Sequence, residues 1–291
     1  MFPLPIELNS LIFELCTTLS LVSLAQTSIS FQILVYAHWK QRNDAVISNY
    51  VPLDKVPFFP LLQSTHSAIV GSVAVQLTDN LAYGGTKNLD LVVPPGAFWT
   101  WRSMLLEVQY NCGPSCHVSD DTLIASLHSF TNGIRIITVM EMKRPFVFPV
   151  LHSRKCSCDM VMVSSSSFIA VYPDTTFDSI CVARDCWLLE PEKESHKKRH
   201  VDFHYSTANW ATACGRYCPD HVENLRNSRS IAALRWNGTW RRDDLLRTVR
   251  HHFVGKAYDS EWAFSPGFPA CDNTACPNYG YEPAYDESDS D

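Results

Sequence analysis

Ser67-Ala68-Ile69-Val70-Gly71-Ser72-Val73-Ala74-Val75-Gln76-Leu77, followed by Asn88-Leu89-Asp90-Leu91-Val92-Val93, is the stretch whose reading decides the fold. The apolar pair Ile69-Val70 runs into Gly71-Ser72, and Val73, Ala74, Val75 and Leu77 continue as a helix-like apolar run. Tyr83-Gly84-Gly85 reads as a loop. Leu89–Val93 reads as a short strand, ended by Pro94-Pro95-Gly96. A Gly-Ser turn at a helix N-terminus lets backbone N–H groups approach a triphosphate, and the helix end favours its charge. On a strand, residues two apart share one face, so positions 88 and 90 point the same way. Carboxylates placed like that hold Mg²⁺ or Mn²⁺ through hard oxygen ligands, and two such ions clamp an in-line phosphoryl displacement.

The order of these elements resembles the signature of the nucleotidyltransferase fold: an apolar residue, Gly and Gly or Ser, a spacer, then two acids flanked by apolar residues. The resemblance implies metal-dependent nucleotidyl transfer from a nucleoside triphosphate. Gly71 and Ser72 would cradle phosphates and Asp90 would bind Mg²⁺ or Mn²⁺. The chain departs from the pattern where the first acid belongs, because Asn88 stands there, and a neutral amide binds a divalent cation more weakly. For the third acid, the run Cys158-Asp159-Met160-Val161-Met162-Val163 offers Asp159. Two registrations stay open. One matches Val161 to the acidic position and leaves no third acid. The other, shifted by two residues, places Asp159 there. The incomplete set makes a pseudoenzyme the expectation beside residual catalysis with Asp90, Asn88 and Asp159. The plainer reading is that Gly-Ser before an apolar strand with one Asp occurs in many α/β proteins.

Outward from this centre, the chain reads as α/β (α+β), with a helical segment in front of a mixed sheet and a cysteine-containing region behind it. Leu4, Leu8, Leu11, Ile12 and Leu15 fall near helical spacing. Further helices are expected over Leu19–Phe31 and from Ile33 to about Val51. Pro52, Pro57 and Pro60 mark a boundary. Ala97–Tyr110 reads as a helix, Ile134–Met142 and Asp159–Val163 as strands, and Ser164–Tyr172 as a helix or strand. Val201–Tyr205 alternates like an edge strand, Glu190–Arg199 is a charged linker and Arg241–His252 a short basic helix. The expected organisation is a helical segment at 1–52, a central domain at 60–190, a Cys/Trp/basic region at 191–285 and a disordered acidic tail at 286–291.

Leu4-Pro5-Ile6-Glu7-Leu8 with Leu11-Ile12-Phe13-Glu14 is similar to the opening of an F-box. Together with Leu61–Ala74, Asn88–Leu91, Ser157–Met160 and Val171–Phe177, it makes residues 3–178 resemble a family of mushroom-forming fungi. That family joins an F-box-like N-terminus to a nucleotidyltransferase-like domain. The resemblance implies a helical module, within residues 4–50, that docks the adaptor subunit of a cullin-type ubiquitin ligase through Leu4, Pro5, Leu8, Ile12 and Phe13. The rival is that these residues pack on the domain behind them, as most amphipathic helices do. A non-catalytic adaptor is accordingly the alternative function, and a pseudoenzyme with neither role is a third.

The 291 residues carry a net charge of −6, with 46% hydrophobic and 19% charged residues. That balance excludes wholesale disorder and lacks the basic footprint of a dedicated nucleic-acid binder. Eight Trp give solid cores or stacking surfaces. Basic runs at Lys197–His200 and around Arg235–Arg250, with Trp236 and Trp240 interleaved, read as solvated faces rather than a nucleic-acid groove. The first 37 residues have no basic start, and Glu7 and Glu14 interrupt them, so neither a signal peptide nor a membrane span is expected. An odd count of 11 Cys argues against a disulfide scaffold. Reduced thiols and an intracellular location, cytoplasmic or nuclear, are expected. Cys214, Cys218, Cys271 and Cys276 could supply one structural zinc site, although neither pair has the tight two-residue spacing and buried inert cysteines are the rival. Cys112–His117 reads as a plain loop, and His200 with His204 as a solvated edge.

Overall fold

The computed structural model describes residues 5–78, 86–116, 123–145, 147, 150–151, 154, 156–165, 167–177, 180–183, 202–204, 208, 210–215, 218, 222–224, 232–235, 261–263, 271, 273–277 and 279–280. The chain opens with helices α1 (Ile6–Leu15), α2 (Thr18–Ala25) and α3 (Ile29–Ser48). Side-chain caps set the last two. Thr17 Oγ1 accepts from Ser20 N at 3.2 Å, and Ser28 Oγ accepts from Phe31 N at 3.2 Å. The Ser28 cap explains why the expected helix across Leu19–Phe31 instead breaks and restarts at Ile29.

Helix α4 (Phe58–Ser64) carries Pro60 in its first turn, where a missing N–H costs nothing. Strand β1 (Ala68–Val70) then passes without a loop into α5 (Gly71–Thr78). Gly71 makes this junction with φ +72°, a left-handed conformation that favours glycine. Next come β2 (Asn88–Val93), α6 (Phe98–Glu107), β3 (Asn111–Cys116), β4 (Ile124–Thr131) and β5 (Ile136–Met142). A one-turn 3₁₀ helix (Ser157–Asp159) precedes β6 (Val161–Val163), β7 (Ser167–Ala170), α7 (Pro173–Phe177) and β8 (Ile180–Val182). The later strands are β9 (Asp202–His204), β10 (Val222–Asn224), β11 (Ala232–Arg235) and β12 (Glu261–Ala263).

Among the described residues, eight strands form one mixed sheet in the order β11-β7-β6-β1-β2-β5-β4-β3. Only the β2–β5 pair within it is parallel; α6 and the β3–β4 hairpin lie between those two strands in sequence. The α/β expectation therefore holds. The sheet divides two cores by strand parity. Ile69, Leu89, Leu91, Val93, Ile137, Val139, Val161 and Val163 pack with Phe13, Leu21, Val35, Trp39 and Ile47, so the N-terminal helices and one sheet face share a single core. Val70, Val92, Met140, Met162 and Ile169 belong to a second core on the opposite face. Trp101 of α6 is fully buried. Its Nε1 donates to Ser67 Oγ at 3.0 Å, which ties the helix to the approach of β1.

Several expected elements shift. Cys112–Cys116 is part of strand β3 rather than a loop. The run before β6 is not one continuous strand, because Asp159 sits in the 3₁₀ turn. Of the helix and strand alternatives over 164–172, the structure shows the strand, β7 at Ser167–Ala170. The strand expected within Val201–Tyr205 is present as β9, which pairs in parallel with β8. The loop at 83–85, the linker at 190–199, the basic helix at 241–252 and the tail at 286–291 lie outside the described residues.

Candidate functional site

The candidate site forms on the sheet face opposite the helices. Strand alternation sends Leu89, Leu91 and Val93 into the helical core. Asn88 and Asp90 point to the other face, both half-buried. Parallel pairing puts Thr138 of β5 in register with Asp90, and antiparallel pairing puts Val70 there from the other side. A polar row results. Asn88 Nδ2 donates to Asp90 Oδ1 at 2.6 Å, and Thr138 Oγ1 donates to Asn88 Oδ1 at 3.1 Å. The other carboxylate oxygen faces the start of α5: a Cβ on Gly71 would lie 2.7 Å from Asp90 Oδ2. Only glycine lets the strand-to-helix turn come this close to the acid.

Burial raises the Asp90 pKa above the ordinary carboxylate value; the Arg154 guanidinium and the Asn88 and Thr138 hydrogen bonds act against it. Arg154 follows a turn closed by its own N–H to Leu151 O at 3.1 Å. Its Nε and Nη2 are buried and have no hydrogen-bond partner among the described residues. Buried donors of this kind are costly unless something accepts from them. The site thus brings together one carboxylate, one guanidinium with open donors and a glycine at a helix N-terminus.

The structure brings Gly71, Asn88 and Asp90 together, as the sequence reading expects. Ser72 follows Gly71 in the first turn of α5. Asp159 differs from expectation. It lies in the turn before β6, so the strand-face argument that paired it with Val161 does not apply; its carboxylate sits 3.9 Å from Cys158 Sγ. The residue in register with Asp90 on the neighbouring parallel strand is Thr138, not an acid. Two site residues escaped the sequence reading. Thr138 had a signal, a lone polar residue in the apolar run Ile136–Met140. Arg154 had none.

The four cysteines read as a zinc set do converge. Cys214, Cys218, Cys271 and Cys276 are all buried, and their sulfurs lie within 4.8 Å of one another. Such a cluster is able to hold a metal ion. Burial, with the neighbouring sulfurs adding to it, pushes the Cys271 thiol up. His204 Nε2 pairs with Asp202 Oδ2 at 3.1 Å on an exposed strand, while His200 lies outside the described residues.

At the N-terminus the positions read as a docking face separate. Phe13 turns inward, 2% exposed, and packs edge-on against His38 with ring centroids 5.6 Å apart. Leu8 and Ile12 remain 45% and 44% exposed, with Leu11 at 55% and Leu15 at 89% beside them. Pro5 is exposed, and Leu4 lies outside the described residues. No helix among the described residues is long and apolar enough to cross a membrane.

No family model matches the chain, and no curated protein matches it. Among solved structures, a tRNA-processing enzyme in apo form I is similar at a TM-score of 0.33 and 13% identity, over 43% of this chain and 34% of that one. A CCA-adding enzyme in complex with CTP is similar at a TM-score of 0.33 and 12% identity, over 49% of this chain and 36% of that one. The chain thus spans about a third of the length of either structure. Likenesses this slight assign neither a family nor an activity.

Proposed function

We propose that the chain is a nucleotidyltransferase-like protein with a degenerate acid set, which binds a metal–nucleoside triphosphate without efficient transfer. One observation carries the reading: the carboxylate of Asp90 abuts Gly71 at the N-terminus of α5, with the open donors of Arg154 acting on the same acid. Backbone N–H groups at a helix start and a buried guanidinium both suit phosphate oxygens. Asp90 would hold Mg²⁺ or Mn²⁺, and the ion would neutralise phosphate charge. Gly71 and Ser72 would cradle the phosphates, with Asn88 orienting Asp90 through its amide.

Efficient transfer needs more acid than this. Two-metal chemistry rests on carboxylates that bridge and hold both ions. Asn88 and Thr138 occupy the places beside Asp90 where further acids would serve, and they fill them with an amide and a hydroxyl. Pyrophosphate release from ATP or GTP with Mn²⁺ tests this. The wild-type chain should show none above background, and the Asn88→Asp/Thr138→Asp double variant should gain it. Robust release by the wild-type chain that is lost in Asp90→Ala would show a working transferase instead.

A second reading is favoured by the exposed apolar face of α1. Leu8, Leu11, Ile12 and Leu15 present it to solvent while Phe13 anchors the helix. This suits docking onto an apolar groove of a ligase adaptor subunit, the F-box-type role. Co-purification of that adaptor with the wild-type chain and its loss in Leu8→Asp would support it. Equal recovery with both chains would exclude it.

A further inference from the structure

Two irregular segments of the C-terminal region reach a buried core with their cysteines. In the stretch 211–218, the described residues Ala211, Thr212, Ala213 and Gly215 are exposed, and Cys214 and Cys218 are buried. In the stretch 271–280, Thr274, Ala275, Pro277, Tyr279 and Gly280 are exposed, and the buried residues are Cys271, Asn273 and Cys276. Among the described residues, neither stretch has a helix or an extended strand of its own. Irregular segments whose described buried side chains are nearly all cysteines commonly rely on a disulfide or a metal.

The sulfur geometry decides between those two. Cys214 Sγ lies 3.4 Å from Cys271 Sγ, and Cys276 Sγ lies 3.7 Å from Cys218 Sγ. A disulfide needs about 2.05 Å, and none of the four cysteines forms one. With zinc–sulfur bonds of about 2.3 Å, the edge of a tetrahedron of thiolates is about 3.8 Å. The observed separations lie close to that edge, and all four sulfurs fall within 4.8 Å of one another. Each pair joins positions 57 or 58 residues apart in sequence. The turns aim the thiols: Cys218 N donates to Gly215 O, Cys276 N to Asn273 O, and Gly280 N to Cys271 O, at 3.2, 2.9 and 3.2 Å.

A supporting contact completes the picture. Asn273, fully buried, donates from Nδ2 to Cys214 Sγ at 3.4 Å and to Thr212 O at 2.9 Å. An amide N–H aimed at sulfur stabilises a thiolate more than a thiol, as partners behind metal ligands do. Four thiolates and no oxygen ligand select a soft divalent ion in a closed tetrahedral site.

We propose that Cys214, Cys218, Cys271 and Cys276 bind one Zn²⁺, and that this ion pins the two loops to the sheet face that carries Asp90. The cysteines share a buried core with Val70, Val92, Met140, Met162 and Ile169 of that face. The ion has a structural role, independent of whether the chain binds nucleotide.

The test uses the full chain and reads metal directly. Zinc content is compared between wild type and Cys271→Ser/Cys276→Ser, so that the separate thiols Cys156, Cys158 and Cys181 cancel in the difference. The variant should carry about one equivalent less than wild type. Because that variant can also fail to fold, the metal-stripped wild-type chain is titrated with Co²⁺. Strong tetrahedral thiolate–cobalt absorption that Zn²⁺ then displaces is the expected result. Asn273→Ala should keep the tetrahedral spectrum and lose about tenfold in zinc affinity. Equal zinc in wild type and variant, no tetrahedral cobalt spectrum, or an unreduced mass showing two disulfides would each overturn the proposal.

Discussion

Asp90 Oδ2 lies over Gly71 so closely that a Cβ there would stand 2.7 Å from the oxygen. The first residue of α5, just after β1, and one in the middle of β2 are thus fitted to each other, and Gly71 is further held at φ +72°. Gly71→Ala should destabilise the chain by about 1–3 kcal/mol, from the left-handed backbone and the clash together. Part of that cost belongs to the carboxylate. In an Asp90→Ala background the same substitution should cost less, and a double-mutant cycle by denaturant unfolding measures the difference. Equal costs in both backgrounds would show that the clash plays no part.

Burial raises Asp90 above its usual carboxylate value in the folded chain. The folded state therefore keeps a proton that the unfolded state has already lost. Stability from the protonated acid is full below the unfolded pKa and is lost as pH rises through the folded pKa. Asp90→Asn should consequently stabilise the chain at neutral pH by about 1 kcal/mol, a common gain when a functional acid is removed. The gain should fade as pH approaches about 4. Thermal unfolding across that range checks it; a gain that persists at low pH would assign the effect to something other than charge burial.

Trp101 tests how the site's platform is held. Its Nε1 donates to Ser67 Oγ and, at 3.2 Å, to Thr65 Oγ1, and Phe58 packs edge-on with ring centroids 5.4 Å away. Trp101→Ala should cost about 3–5 kcal/mol through cavity formation. Ser67→Ala should cost only about 1 kcal/mol, since Thr65 remains as acceptor. Urea midpoints of the two variants provide the comparison.

On α1 the two faces should respond differently. Phe13→Ala removes a buried ring and should cost about 3–5 kcal/mol. Leu8→Asp changes a half-exposed position and should leave stability within about 0.5 kcal/mol. A large loss in Leu8→Asp would mean that the exposed face is held by this chain itself, which would remove the argument for a docking partner.

Much of the site was legible because local signals and tertiary structure agree there. Gly71-Ser72 before an apolar run, and a polar residue on alternate positions of β2, both follow from backbone rules. The third position was not legible. Identifying Thr138 needs the β2–β5 register, which pairs residues 48 apart in the chain and depends on where α6 and a hairpin return the strand. The turn from β4 into β5 did carry a local cue: Asn132-Gly133, where Asn132 Oδ1 accepts from Arg135 N at 2.8 Å and Gly133 has φ +86°. Strand β3 hid behind Gly113-Pro114, residues that read as a turn yet sit at a register shift of the ladder. The cysteine cluster shows the opposite case. The residue types were visible, but only the fold brings pairs from distant loops to one point.

If Gly71, Asp90 and Arg154 receive a metal-bound triphosphate, binding must depend on both the metal and the acid. Calorimetric titration of the purified chain with ATP and then GTP tests it most directly, with Mg²⁺ or Mn²⁺ present and absent, beside Asp90→Ala. The expected result is saturable binding that requires the metal and falls at least tenfold in Asp90→Ala, a loss of about 1.4 kcal/mol or more. No binding at millimolar nucleotide, or binding indifferent to both the metal and Asp90, would contradict it.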